Sequence, residues 1–189
     1  MEIKDLLVAK RIDDDQYVGI NAGKTLHQGI EIAIKHNWQI NTIFSIASYI
    51  STSLGKYEFV TFVDNGTDFS GNKLTGVAAN KANLGVSVNT NFGFYLSSDF
   101  QFVDEIPLND ANSVFSDAYK IINLKSGHRF EILPNLTTHL SAGINNVNNQ
   151  KYASLILPNA AAFGNATPRY YYPGLPANYY GTVLLNYLF

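Results

Sequence analysis

The chain has 189 residues, of which only 15% are charged, against about a quarter in ordinary soluble domains, with 14 Gly, 12 Tyr, 12 Phe, one Met and no Cys. A formal charge of -2 excludes the basic surface that recruits nucleic acid, and no nucleic-acid motif is present. No run approaches the length of about 18 uninterrupted apolar residues that a transmembrane helix needs, and the start MEIKDLLVAKRIDDDQ lacks the basic residues, apolar run and cleavage site of a signal peptide. Asn, Ser and Thr supply much of the polarity that Lys and Glu usually supply. That balance suits polar side chains facing a shielded wet interior and apolar ones facing lipid, and a soluble all-β protein shares it.

In chain order, residues 2–10 alternate weakly and read as a first strand or, nearly as well, a short helix, followed by Asp13, Asp14 and Asp15 and a polar excursion with Gly19 and Gly23 at turn or bulge positions. Residues 26–36 alternate, Ile30, Ile32 and Ile34 opposing Glu31, Ala33 and Lys35, and His36 with Asn37 predicts a two-residue turn. Residues 38–52 form the clearest amphipathic strand, with Trp38, Ile40, Thr42, Phe44, Ile46, Ser48 and Ile50 on one side, and their β-branched content argues against a helix. A polar and aromatic loop covers 53–79. Strands at 80–91 and 93–104 then meet at a turn near Asn91. A polar connection over 105–118 leads to a strand at 119–131, a turn at Pro134 and a strand at 136–146. A loop over 147–177, rich in Asn, Ala, Tyr and Pro, delivers the chain to a last strand at 179–189, YYGTVLLNYLF, whose apolar face is Val183, Leu185, Tyr187 and Phe189.

The expected fold is all-β, an antiparallel meander of about eight long strands. Tight turns near 36, 91 and 134 alternate with long connections at 11–25, 53–79, 105–118 and 147–177, so all long connections fall at one end and all tight turns at the other. A transmembrane β-barrel has this asymmetry, with short periplasmic turns and long extracellular loops. On that reading Trp38, Phe92, Phe94, Phe130, Tyr187 and Phe189 make an inner aromatic belt, and Tyr49, Phe102, Tyr152, Tyr179 and Tyr180 an outer one. Glu31, Lys35, Asp99, Lys125, Arg129 and Glu131 fall on the lumen face.

Four stretches carry a family resemblance: NAGKTLHQGIEIAI (21–34), GNKLTGVAANKANLGVSV (71–88), AGINNVNNQKYASLILPNA (142–160) and PRYYYPGLPANYYGTVLLNYLF (168–189). In this order they resemble the carboxy-terminal part of a TonB-dependent outer-membrane receptor. The resemblance implies that residues 1–189 are the last strands of a barrel of about 22 strands, without its plug domain or energy-coupling box. It implies a Gram-negative outer-membrane location. Its implied partners are membrane lipid, the plug and earlier strands, TonB acting through them, and the barrel assembly machinery, for which the strand ending in Phe189 resembles the terminal signal. The implied role is uptake of a scarce nutrient such as an iron chelate, a cobalamin or a glycan.

The candidate ligand-contacting residues are the loop aromatics Tyr57, Phe59, Phe69, Tyr152, Tyr170, Tyr171 and Tyr172, which could equally brace the loops against one another. His27, His36, His128 and His139 lack metal-ligand spacing, and the run at 13–15 lacks the alternating oxygen ligands of a cation loop, so no metal or cofactor is expected. No nucleophile elbow is present, and an enzymatic role is not expected. The alternatives are a free-standing eight-stranded outer-membrane barrel with a structural or adhesion role, and a soluble β-sheet protein.

Overall fold

The computed structural model describes residues 1–5, 7–13, 16–21, 23–162 and 166–188. Its strands are β1 (Glu2–Lys4), β2 (Leu7–Asp13), β3 (Gln16–Asn21), β4 (Lys24–Gln39), β5 (Phe44–Thr61), β6 (Val63–Asp64), β7 (Thr67–Asp68), β8 (Asn80–Thr90), β9 (Phe94–Val103), β10 (Tyr119–Leu133), β11 (Leu136–Asn145), β12 (Ala153–Ile156), β13 (Tyr171–Pro173) and β14 (Asn178–Tyr187). Eight of them make one antiparallel sheet in the order β1-β4-β5-β8-β9-β10-β11-β14. The pairs β2–β3, β6–β7 and β12–β13 are small hairpins set into the long connections.

The turns follow from their residues. At 40–43 the Asn41 side-chain oxygen accepts from the amides of Ile43 (2.8 Å) and Phe44 (2.9 Å), a side-chain mimic of a backbone turn. At 91–93 Gly93 takes φ +93°, which a three-residue hairpin loop commonly requires. At 134–135 Pro134 precedes Asn135 at φ +68°, the residue order of a type II turn.

Several boundaries differ from the sequence expectation. The strand expected at 2–10 is only three residues long in the sheet, and the chain from Leu7 pairs instead with β3. No turn occurs at His36 and Asn37: both lie inside β4, paired with Ser48 and Ala47, so the first tight turn moves to 40–43 and the strand expected from 38 starts at Phe44. The loop expected from 53 starts after Thr61, because β4 and β8 hold β5 in the ladder through Gly55. With these shifts the alternation of long and tight connections stands.

Register assigns the two faces. Trp38, Ile46, Val88 and Leu96 lie side by side across four strands, Ile34, Ile50, Leu84, Phe100 and Ile122 across five, and Leu140 pairs with Val183. This apolar face is uncovered: Ile30 is 64%, Trp38 59% and Val183 67% exposed. The opposite face carries Glu31, Lys35, Asp99, Lys125, Arg129 and Glu131, joined by Lys81, which pairs with Ser53 and was not among the charges assigned to that face from sequence. A continuous uncovered apolar band on a sheet edged in polar groups fits lipid rather than water. The ten-residue strands, at about 3.4 Å per residue and about 40° tilt, match an apolar band about 25 Å tall.

The inner belt holds for Trp38, Phe92, Phe94, Phe130 and Tyr187, all exposed toward the tight-turn end, whereas Phe189 lies outside the described residues. The outer belt holds only in part: Tyr179, 77% exposed, and Phe102 lie on the apolar face at the long-loop end, and the other three do not. Tyr49 and Tyr180 face the polar side, each ring lying where a Cβ on Gly85 or Gly143 of the adjacent strand would sit, and Tyr152 belongs to the loop layer. Tyr95 does the same over Gly127. The rings fill notches that glycines leave in the polar wall, the aromatic cover of a strand glycine. Across Gly85 the Tyr49 hydroxyl donates to Asp99 at 2.8 Å, so the ring ties three strands together.

The sheet has no core of its own. Phe59, Phe62 and Leu74 form one buried cluster, with Phe69, Tyr57, Val77 and Ile20 against it, and Ala78, Val103 and Ile106 form another with Tyr119 and Ile156. Both lie at the long-loop end, built from connections and strand ends.

Two outcomes test this arrangement. Val86→Arg on the apolar face should destabilise the protein in lipid by about 2–4 kcal/mol, while Asn83→Arg on the polar face should stay within about 0.5 kcal/mol, read from urea unfolding in vesicles. Gly85→Val should displace the Tyr49 ring and cost about 1–3 kcal/mol in the same measurement.

Candidate functional site

The long-loop end is a tied layer, not a set of loose loops. Asp110, 7% exposed, is its hub. Its carboxylate accepts from the Thr75 hydroxyl and from the Asn159 amide (2.9 Å), its backbone N–H donates to the Asn159 oxygen (3.0 Å), and its carbonyl accepts from Asn72 (2.7 Å). One aspartate therefore joins the connections 62–79, 104–118 and 146–177. Lys73 and Asn112 exchange two further bonds, 2.6 Å and 3.0 Å, and the Lys73 ammonium reaches Glu105 at 2.9 Å and lies over the Phe115 ring. In the outlying β6–β7 hairpin, the hydroxyl and amide of Ser70 hold the exposed Asp68 carboxyl below the usual carboxylate range.

Asparagines build the connection between β11 and β14. Asn146, 2% exposed and at φ +53°, donates to the carbonyls of Gln150 (2.9 Å) and Leu175 (3.0 Å) and accepts from the Gln150 amide (2.8 Å). Asn149 accepts from the Ala177 amide at 3.0 Å, and Asn148 bonds both Ile122 and Lys120 of β10. Six of the seven non-glycine residues at positive φ among those described are Asn, a residue that tolerates this conformation while bonding its own backbone. Hairpin β12–β13 pairs Leu155 with Tyr172 and Ile156 with Tyr171, and Gly174 donates to the Tyr152 carbonyl at 2.8 Å.

These ties enclose a cavity of about 440 Å³ between 149–153, 171–176 and the buried Ser116 with its neighbour Asp117. One wall is aromatic: Tyr152 fills the notch at Gly174 and packs against Tyr119 in a tilted pair at 4.9 Å, and Tyr171 is 48% exposed at the mouth. The polar groups are Asp117, Asn149, Gln150 and Lys151, which offer one acid, one ammonium and amide donors and acceptors. The arrangement suits non-covalent recognition of a polar ligand with a flat or ring-bearing surface.

The seven loop aromatics expected from sequence separate in space. Tyr152 and Tyr171 line the cavity. Tyr172 is 58% exposed on the same hairpin, and the Tyr170 carbonyl accepts from Leu157. Phe59 and Phe69 sit in the loop core, where Phe59 is 1% exposed and Phe62 bridges the two rings at 4.7 Å and 5.7 Å. Tyr57 lies on β5 over Gly55, edge-on to His27. Sequence reasoning missed Asp117, Gln150, Lys151 and the hub Asp110. The stretch NNVNNQKY holds the signal for most of them, since its asparagines set the walls between which Gln150 and Lys151 stand. Among the described residues no cluster of three His, Asp or Glu could hold a metal, and no helix is long and apolar enough to cross a membrane.

An antiparallel meander with one uncovered apolar face and all its long loops at one end is the architecture of an outer-membrane β-barrel wall. The chain belongs to the TonB dependent receptor-like, beta-barrel family, whose model matches residues 1–147. Its fold is similar to that of BauA, the ferric preacinetobactin receptor of Acinetobacter baumannii, with a TM-score of 0.72 over 96% of this chain and 25% of that one. It is also similar to FyuA, the ferric yersiniabactin uptake receptor of Yersinia pestis (TM-score 0.65, 100% and 26%), and to the siderophore receptor PiuA of A. baumannii (0.60, 95% and 24%). Identity is 15% in each case, and the chain spans about a quarter of each receptor's length. It corresponds to the carboxy-terminal barrel region of these receptors.

Asp110→Ala should strand the partners Thr75 and Asn159 and loosen the loop layer locally by about 1–3 kcal/mol. Limited proteolysis with mass spectrometry should then show new cleavage within 104–118 and 157–170, with the sheet strands still protected.

Proposed function

We propose that these residues form part of the wall and outward-facing loops of a TonB-dependent outer-membrane receptor that takes up a ferric chelate. The observation that carries this reading is the preformed cavity of about 440 Å³ at the loop end of a sheet whose family model matches residues 1–147. The three similar structures are each described as a siderophore or ferric-chelate receptor, which favours an iron chelate over a cobalamin or a glycan. Tyr152 and Tyr171 would present ring faces to the chelate, and Lys151 would meet the negative charge that a tris-catecholate complex of iron(III) carries.

The edges of the sheet support membership of a larger barrel over a free-standing eight-stranded one. Beyond His27, β4 pairs only with β5 among the described residues, so about a dozen residues of apolar strand keep one row of backbone groups unpaired, and β14 pairs only with β11. Inside hydrocarbon such edges are untenable, because each unsatisfied N–H or C=O costs several kcal/mol. Further strands would pair with both edges, a plug would fill the lumen, and TonB would act through that plug. Val183, Leu185, Tyr187 and Phe189 would serve the barrel assembly machinery as its recognition face. The role is transport, not catalysis.

Uptake of radiolabelled ferric chelates by cells carrying Tyr171→Ala or Lys151→Gln tests the assignment. Each should weaken binding about tenfold at unchanged surface abundance. Binding unchanged in both would remove the cavity from the ligand path.

A further inference from the structure

The polar face carries a second, smaller concavity of about 230 Å³ near the tight-turn end, far along the strands from the loop layer. Its lining includes Asn89, Gly93, Tyr95, Arg129 and His139, and Gly127 lies beneath the Tyr95 ring. The Tyr95 hydroxyl, from β9, meets the His139 Nε2 at 3.1 Å, two strands away. The Lys125 ammonium stands over the same ring at 5.9 Å, and Arg129 is the direct cross-strand partner of His139. Asn89 faces Tyr95 from β8. The Arg129 backbone donates to the Gly93 carbonyl at 2.9 Å, which fixes the root of its side chain against the turn.

Charge in this group is unbalanced. Among the described residues no carboxylate pairs with Arg129 or Lys125. The acids that share the face are Glu131, two residues along β10 from Arg129, Glu31 on β4, and Asp99, which already accepts from Tyr49. One guanidinium, a held imidazole and an amide thus line a hollow too small for a chelate but large enough for one oxyanion, and the Lys125 ammonium lies outside that lining, over the Tyr95 ring. A guanidinium fork beside neutral donors is the arrangement that takes carboxylate or phosphate oxygens in a bidentate way.

We propose that Arg129, His139 and Asn89 form an oxyanion site on the polar wall, preorganised by Tyr95 seated on Gly127, with the Lys125 ammonium adding positive charge from beyond the lining. The proposal is independent of the chelate reading, because it concerns the opposite end of the strands and a different ligand chemistry. The oxyanion can come from a free anion such as phosphate or from an acidic side chain of polypeptide lying against this wall.

The experiment uses the native polypeptide purified from membranes in detergent, with ¹³C-labelled histidine and the His139 ring signals assigned by His139→Gln. Inorganic phosphate and N-acetylglutamate amide are titrated in separate arms at constant ionic strength. A saturable shift of the His139 signals in either arm is expected, and the tighter arm identifies the source. Arg129→Gln should weaken that response about tenfold or more. Arg129→Lys keeps the charge but loses the fork and should fall between, whereas Lys35→Gln elsewhere on the face should leave it unchanged. Heat-modifiable migration confirms that each variant is folded. A shift that never saturates, or one of equal strength in Arg129→Gln, overturns the site.

Discussion

The requirement that every backbone N–H and C=O inside hydrocarbon find a partner governs this molecule. Seven antiparallel ladders meet it along the body of the sheet, and they leave side chains free to divide by parity between two environments. In a membrane wall lipid would replace the core on one side, so Ile30, Val88, Leu140 and Val183 would stay uncovered without penalty. The buried hydrophobic residues concentrate where the chain leaves the band, around Phe59, Leu74 and Val103, because there water returns and the connections must bury apolar surface among themselves.

The same division explains the composition. A polar wall made of small residues, Ser, Asn and Gly, would be left notched, and Tyr49, Tyr95 and Tyr180 fill three of its glycine notches from neighbouring strands. Tyrosine suits the position since its ring covers the backbone of the adjacent strand while its hydroxyl reaches a partner on the strand beyond, Asp99 in one case and His139 in another. Asparagine does the corresponding work in the connections, turning the chain at positive φ and bonding across it at 112, 146, 149 and 159. Few Lys and Glu are needed, because few positions face bulk water on an open surface.

Parity and loop sidedness were legible in the sequence because both are local: period two needs only a few neighbours, and connection length is counted along the chain. The strand ends were not. His36 and Asn37 are polar and adjacent, which reads as a turn, yet the pairing with Ser48 and Ala47 carries the ladder through them and the side-chain oxygen of Asn41 makes the turn four residues later. Gly55 likewise interrupts the pattern of β5 without interrupting its hydrogen bonds. Which tyrosines meet lipid, a glycine notch or a cavity depends on residues one or two strands away, so Tyr49 and Tyr180 could not be told from belt residues by sequence. The stretch 142–160 carried a family resemblance, but only the structure shows its asparagines bonding 175 and 177 and so setting the walls of the cavity.

The extension of β5 to Thr61 connects the two regimes. Eighteen residues outrun the band that ten-residue strands such as β9 cross, and the excess carries Tyr57 and Phe59 into the loop layer, where Phe59 anchors one buried cluster. Connections rooted on such a strand inherit its rigidity, and Asp110 passes that constraint to the connection that lines the cavity through its reciprocal bonds with Asn159. A cavity held in this way requires little ordering when a ligand arrives, so more of the contact energy appears as affinity. The tie also limits how a ligand could signal inward. Movement of 149–153 or 171–176 would have to strain Asn146 and Asp110 before it reached the strands, and β5 and β10, which meet the loop layer directly, are the elements through which any such strain would descend toward the polar wall.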